Sequence, residues 1–366
     1  MVPRLTDRRT FLKAAGAAFA ASLSPAQAAR LAGTPSVYAS SYADDEGGYG
    51  AALLTEDGTV IASVPLPARG HDIAYHPSSG QALVFARRPG TIAVAFDRDG
   101  RMPPMSLLAA PGRHFYGHGA FSPDGRLLYA SENDFDNAAG VIGVYDATDG
   151  YKRIGEFSSG GVGPHDMLLL PDGRTLAIAN GGIETHPDFG RTKLNLMTMA
   201  PSLCFVDRLD GSIIERQSLA PDLHRLSIRH LAVDGSSGVY FACQFEGSPI
   251  ERPPLCGHAV PGRTMRLFEL APRLTAKLKN YVGSIAANPE AGTVAISSPR
   301  GNCMMVLDGG TGRVIMQRHL DNVCGMARSG DGFLASTGNG VLFSTNGGNV
   351  ENSPLRWDNH LLRICG

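Results

Sequence analysis

The 366-residue chain has a single tryptophan, Trp357, and only 7% aromatic residues, so a cofactor clasped between stacked tryptophans has nothing to hold it. No Trp-Asp dipeptide recurs at regular intervals, which argues against an adaptor of the WD40 type. Haem attachment by Cys-x-x-Cys-His, a Walker phosphate loop, a Rossmann glycine run and a Gly-x-Ser-x-Gly nucleophile are all missing. Neither sign of charge is in excess. The formal net charge is −1, and setting aside Arg4, Asp7, Arg8, Arg9 and Lys13 leaves about −4, so no nucleic acid or anionic membrane is expected as a partner. No apolar run is long enough to span a bilayer.

What is present in quantity is turn chemistry, with Gly 45 and Pro 24 against 18% charged residues. This composition describes a turn-rich globular protein, and one large β domain fits it as well as two smaller ones. Asp7-Arg8-Arg9-Thr10-Phe11-Leu12-Lys13 has the form of a twin-arginine export signal, with Asp7 in place of the usual hydroxyl residue. A short apolar run over 14–23 and the small-x-small site Ala26-Gln27-Ala28 follow. The expectation is a leader over 1–28 and a mature domain over 29–366, exported already folded to the periplasm, a route often taken by proteins that acquire a cofactor first. Six cysteines would then meet an oxidising compartment and allow 15 pairings. Cys243 with Cys256 is the favoured pair because only a loop separates them.

The chain repeats itself. His71, His118, His165 and His230 stand at the same place in four copies of one pattern, spaced 47, 47 and 65 residues apart. In the clearest copy, Gly117-His118-Gly119-Ala120-Phe121 enters Ser122-Pro123-Asp124-Gly125, a turn in which Pro presets φ and Gly tolerates a positive one. Two further copies, at Val282-Gly283-Ser284 and Val323-Cys324-Gly325, lack the histidine. Periods of 40 to 50 residues with about four short strands each are the signature of β-propeller blades.

Residues 36–43, 49–54 and 59–66 supply three strands but no inner strand of the repeated type, whereas Trp357-Asp358-Asn359-His360-Leu361 has that pattern at the far end of the chain. The expected fold is therefore an all-β, seven-bladed propeller, its ring closed by a C-terminal strand that completes the N-terminal blade and leaves no open edge. The long third interval carries an insertion over 181–203 between the second and third strands of its blade, and it should overhang the histidines.

In such a ring His71, His118, His165, His230, His360 and Cys324 converge on one mouth of the central channel. Imidazole and thiolate suit iron, copper or zinc, with iron or copper preferred here. A ring of imidazoles suits a carboxylate or phosphate equally well, and each histidine alone is explained as a staple between blades. Arg87, Glu132, Asn180, Gln244 and Arg300, at strand ends on the same face, are the candidates to support a bound cofactor. Within the insertion Glu184, His186, Asp188, Arg191 and Lys193 could form a lid, with Glu184 and His186 as candidate cofactor contacts. Asp72 and Asp166 follow histidines, so strand alternation should point them away.

The insertion Asn180-Gly181-Gly182-Ile183-Glu184-Thr185-His186-Pro187-Asp188-Phe189-Gly190-Arg191, with Arg229-His230-Leu231-Ala232 and Trp357-Asp358-Asn359-His360-Leu361, resembles a family of twin-arginine-exported periplasmic β-propeller proteins of unknown function. That family tends to be encoded beside imelysin-type iron-uptake proteins and a di-haem oxidoreductase. The resemblance implies a role in iron acquisition and imelysin-like partners, but carries no catalytic residues. A fainter likeness is to the propeller of nitrous oxide reductase, where a histidine ring holds copper, although the copper-binding second domain is missing here. The leading expectation is a monomeric metal-binding propeller. The alternatives are a metal-dependent oxidoreductase or other propeller enzyme at the same mouth, and a non-catalytic docking platform.

Overall fold

The computed structural model describes residues 25–365, so most of the expected leader, residues 1–24, lies outside the described residues. Seven sheets follow one another around a ring, each antiparallel and ordered from an inner to an outer strand. The inner strands of the second to seventh blades are Gly70–Tyr75, Arg113–Phe121, Pro164–Leu169, Leu226–Val233, Ser284–Asn288 and Val323–Ser329. The first blade is built from both ends of the described chain. Val37–Ala43, Tyr49–Thr55 and Val60–Leu66 are its N-terminal strands, and Arg356–Trp357 and Leu362–Cys365 pair against Val37–Ala43 to fill the innermost place. The fold is thus the expected seven-bladed β-propeller, with the expected closure.

Local chemistry sets the strand ends. In the third blade Gly125 takes φ +70°, and Asp124 accepts from Ser122 Oγ at 2.5 Å and from Arg126 N at 3.1 Å, a turn tied by its own side chains. His76 reaches the carbonyl of Pro123 in this turn at 3.1 Å, joining two blades, and a Cβ on Gly125 would lie 2.6 Å from its ring. The apolar faces of adjacent sheets form the core. One cluster runs through the fourth, fifth and sixth blades, with Phe205, Phe241, Phe268 and Met305 buried in it. Met304 and Met305 are core filler, as methionine usually is.

Cys204, Cys243, Cys256, Cys303 and Cys324 are free thiols, so the favoured Cys243–Cys256 pairing is not formed. Cys256 stands opposite Ala242, and the pleat therefore turns the two sulfurs to opposite faces of their sheet. Among the described residues no helix is long and apolar enough to cross a membrane.

Candidate functional site

The inner strands do not run straight into the channel. In the second, third, fourth, fifth and seventh blades the register against the neighbouring strand slips where the histidine or cysteine stands: between Gly70 and Ile73, Phe115 and Gly119, Pro164 and Asp166, Ile228 and His230, and Val323 and Met326. The sixth blade, which has no histidine there, pairs without a slip from Ser284 to Asn288. A bulge adds residues to one strand and re-aims their side chains. This corrects the expectation for Asp72 and Asp166, which do not point away: the bulges break the alternation on which it rested, and both carboxylates face His118 of the blade between them. His118 Nδ1 lies 3.0 Å from Asp72 Oδ2 and 3.1 Å from Asp166 Oδ1. Asp166 also accepts the N–H of Leu231 at 2.8 Å, so it ties three blades together.

The five imidazoles pack on one another around the axis. Ring centroids are 4.7 Å apart for His71 and His360 and for His118 and His360, 4.9 Å for His165 and His230, and 5.0 Å for His71 and His118. Two groups, His71 with His118 and His165, and His118 with His230 and His360, bring one ring nitrogen from each member within 4.8 Å of the others. These buried groups can hold a metal ion. Each of the five rings keeps one buried nitrogen without a hydrogen-bond partner: Nδ1 of His71, His165 and His230, and Nε2 of His118 and His360. Buried polar atoms are rarely left so, and five in one cluster make it the candidate site.

Burial pushes His71 down to about 3, and also lowers His360 and, much further, His165 and His230, so these four are neutral at pH 7. Burial works the same way on His118, but Asp166 and Asp72 outweigh it and lift it to about 10. Asp72 and Asp358 are held below the usual carboxylate range, because His360 and His118 for the first, and the hydrogen bond to His71 with Arg69 and Arg87 for the second, outweigh their own burial.

Above this floor opens a cavity of about 440 Å³ with Arg69, Arg87, Arg88, Arg191, Lys193, Arg229 and Arg300 in its wall and no carboxylate lining it. His71, His165, His230, Gln244, Tyr281, Pro299, Asn322 and Asn359 complete it. The insertion does overhang the histidines, since it supplies Arg191 and Lys193.

Of the residues singled out from sequence, Arg87, Gln244 and Arg300 line this cup, and Arg300 sits over the Tyr281 ring at 4.7 Å. The others lie elsewhere. Glu132 is buried inside the third blade between the Tyr145 hydroxyl and Arg153. Asn180 bonds Ser159 and its carbonyl in the fourth blade. Glu184 donates its backbone N–H to Asn195 Oδ1 and its carbonyl accepts from Leu194 N, while the His186 ring packs on Phe135 and Phe189 and accepts from Asp188 N. Cys324 donates to the Asn322 carbonyl at 3.0 Å, and burial pushes its thiol up to about 12, so it stays protonated and outside the imidazole groups. Sequence reasoning missed Arg69 as a cup residue, although it stands two places before His71 just as Arg229 directly precedes His230.

Residues 64–364 match a family described as "Protein of unknown function (DUF1513)", and the chain belongs to that family. No curated protein sequence matches it. Solved structures share the fold at low identity. Hydrazine synthase of Kuenenia stuttgartiensis is 14% identical with a TM-score of 0.60, covering 81% of this chain and 91% of that one. A nidogen/laminin complex chain is 14% identical with a TM-score of 0.50, covering 77% and 93%. At this identity the likeness carries the propeller architecture and no activity.

Proposed function

We propose that this protein is a periplasmic binding propeller that holds a transition metal, iron or copper, in its buried imidazole cluster and serves metal acquisition. The observation that supports a metal is the pair of histidine trios around the axis, each bringing one ring nitrogen per member within 4.8 Å of the others, in rings that each keep a buried nitrogen without a hydrogen bond. Neutral imidazole is the ligating form, and four of the five rings are neutral at pH 7. His118 has its Nδ1 committed to Asp72 and Asp166, the arrangement by which carboxylates orient a metal-binding histidine and leave Nε2 for the ion. A metal there must displace the proton of Nε2, so loading releases a proton.

Export rests on Arg8 and Arg9 in the leader, with a mature domain from residue 29, and iron rests on the resemblance to propellers encoded beside imelysin-type proteins. An imelysin-like protein in the same compartment is the corresponding partner. Protein exported natively from a host with a working twin-arginine pathway, then analysed by plasma mass spectrometry, is expected to carry stoichiometric iron or copper. The pair His118→Gln and His165→Gln should abolish that content while the far-ultraviolet spectrum is kept. Wild-type protein that emerges folded and free of metal from every such preparation overturns the proposal.

A further inference from the structure

The cup above the histidines is a charged site in its own right. Of its seven cationic side chains, Arg69 is held by Asp358 at 2.5 Å, while Lys193 and Arg229 share Glu246. Among the described residues no ion pair forms at Arg87, Arg88, Arg191 or Arg300. Arg229 is only 6% exposed, and its Nε has no partner. A buried guanidinium with an unused donor in a cavity wall is costly unless something accepts from it.

The cations also crowd one another. Arg88 is pushed down to about 10 by burial first and then by Arg229, with Arg191 adding to it. Arg191 is lowered by burial and then by Arg87 and Arg229. A chain close to neutral overall has thus gathered like charges at one concave place, where low-dielectric walls focus their field. The floor answers this only in part, since the carboxylates of Asp72 and Asp166 are drawn in around His118.

We propose that this cup binds a small, multiply charged oxyanion, of the polycarboxylate or phosphate class, with Arg88, Arg191, Arg229 and Arg300 as its principal contacts. The guanidinium fork matches the oxygen pairs of both classes and binds them bidentately. The cavity's size is that of a small-molecule site, and Gln244 and Asn359, both buried in its wall, add neutral polar groups that fix orientation. The overhanging insertion and a volume of about 440 Å³ suit a small molecule rather than a nucleic acid strand or a membrane surface. The site does not depend on the metal reading, since its charges come from residues that are not in the imidazole groups.

The test is calorimetric titration of the chelator-treated, metal-free protein with citrate, with pyrophosphate, and with acetate as a monovalent control, all at physiological ionic strength. Citrate, pyrophosphate or both should bind far more tightly than acetate, and which of the two does so separates the carboxylate from the phosphate class. Arg191→Gln and Arg300→Gln alter exposed side chains, and each should weaken binding roughly tenfold or more. The double variant should keep the metal content of the wild type, so loss of anion binding and loss of metal are read separately. If neither polyanion outbinds acetate, or if the folded double variant binds as the wild type does, the proposal falls.

Discussion

Asp72 of the second blade holds the ring of His118 in the third, Oδ2 to Nδ1 at 3.0 Å, although it follows a histidine in its own strand that faces the same channel. With Asp166 closing from the other side, the imidazolium of His118 is the charged centre of an otherwise neutral cluster. A histidine whose folded value is raised stabilises the fold fully below its unfolded value near 6.5 and loses that contribution as pH rises through about 10. Asp72→Asn should therefore flatten the alkaline limb. Unfolding free energies of metal-free protein, from urea titrations at pH 7 and pH 10, should differ more in the wild type than in the variant, by an amount on the order of a few kcal/mol at most. Equal pH slopes would show that His118 is not the titrating group.

The other four histidines act in the opposite direction. Burial depresses His71, His165, His230 and His360, so the unfolded chain takes up protons near pH 6.5 that the native chain refuses. Stability should then fall as pH drops from 7 to 5, a range in which few carboxylates titrate. His165→Gln with His230→Gln should lose part of this acid sensitivity, read as a smaller shift in thermal midpoint between the two pH values. Bound metal should steepen the same limb, because protons compete for the ligating nitrogens.

The ring and its closure were legible in the sequence because both are periodic: histidine before a Pro-Asp-Gly turn marks an inner strand, and His360 carries the mark to a place the N-terminal blade leaves empty. The second coordination of the site was not legible in the same way. Asp72 and Asp166 reach His118 only through bulges, and a bulge erases the alternation from which side-chain direction is read. Glu132 and Asn180 stood at the right strand ends but were claimed by partners in their own or the preceding blade, Tyr145 and Arg153 for one and Ser159 for the other. The cations of the cup come from the second, fifth and sixth blades and from the insertion, a convergence that no single stretch of sequence contains.

Closure by the C-terminal strands makes a direct prediction. Trp357, Leu361 and Ile364 are buried, Asp358 holds Arg69, and the His360 carbonyl accepts from Ser40 Oγ at 2.7 Å. Each large apolar side chain is worth about 1.5–3 kcal/mol on burial, so removing residues 356–366 forfeits a sum comparable to a whole domain's stability of about 5–15 kcal/mol. The truncated chain should be protease-sensitive throughout rather than at one blade, and should retain neither metal nor anion. A truncated protein that melts as the wild type does would mean that the ring holds without its clasp.

The arginine cup should leave a signature even without a ligand. Arg191 stands on the insertion among Arg87, Arg229 and Arg69, and all of them lower its affinity for its proton, behind the effect of burial. Like charges gathered for binding oppose the empty fold, the usual cost at a functional site. Because the Arg191 side chain reaches solvent, screening removes much of that repulsion, and the gain from removing it is small, a few tenths to about 1 kcal/mol. Arg191→Gln should thus raise the thermal midpoint of ligand-free protein in low salt, by roughly 1–2 °C for a chain of this size. Added sodium chloride should erase the difference, since screening over a Debye length near 10 Å relieves the wild type in the same way. With citrate or pyrophosphate present the order should reverse, because the wild type gains bound-state stability that the variant has lost. A variant less stable than the wild type under all three conditions would mean that Arg191 is a packing residue of the insertion.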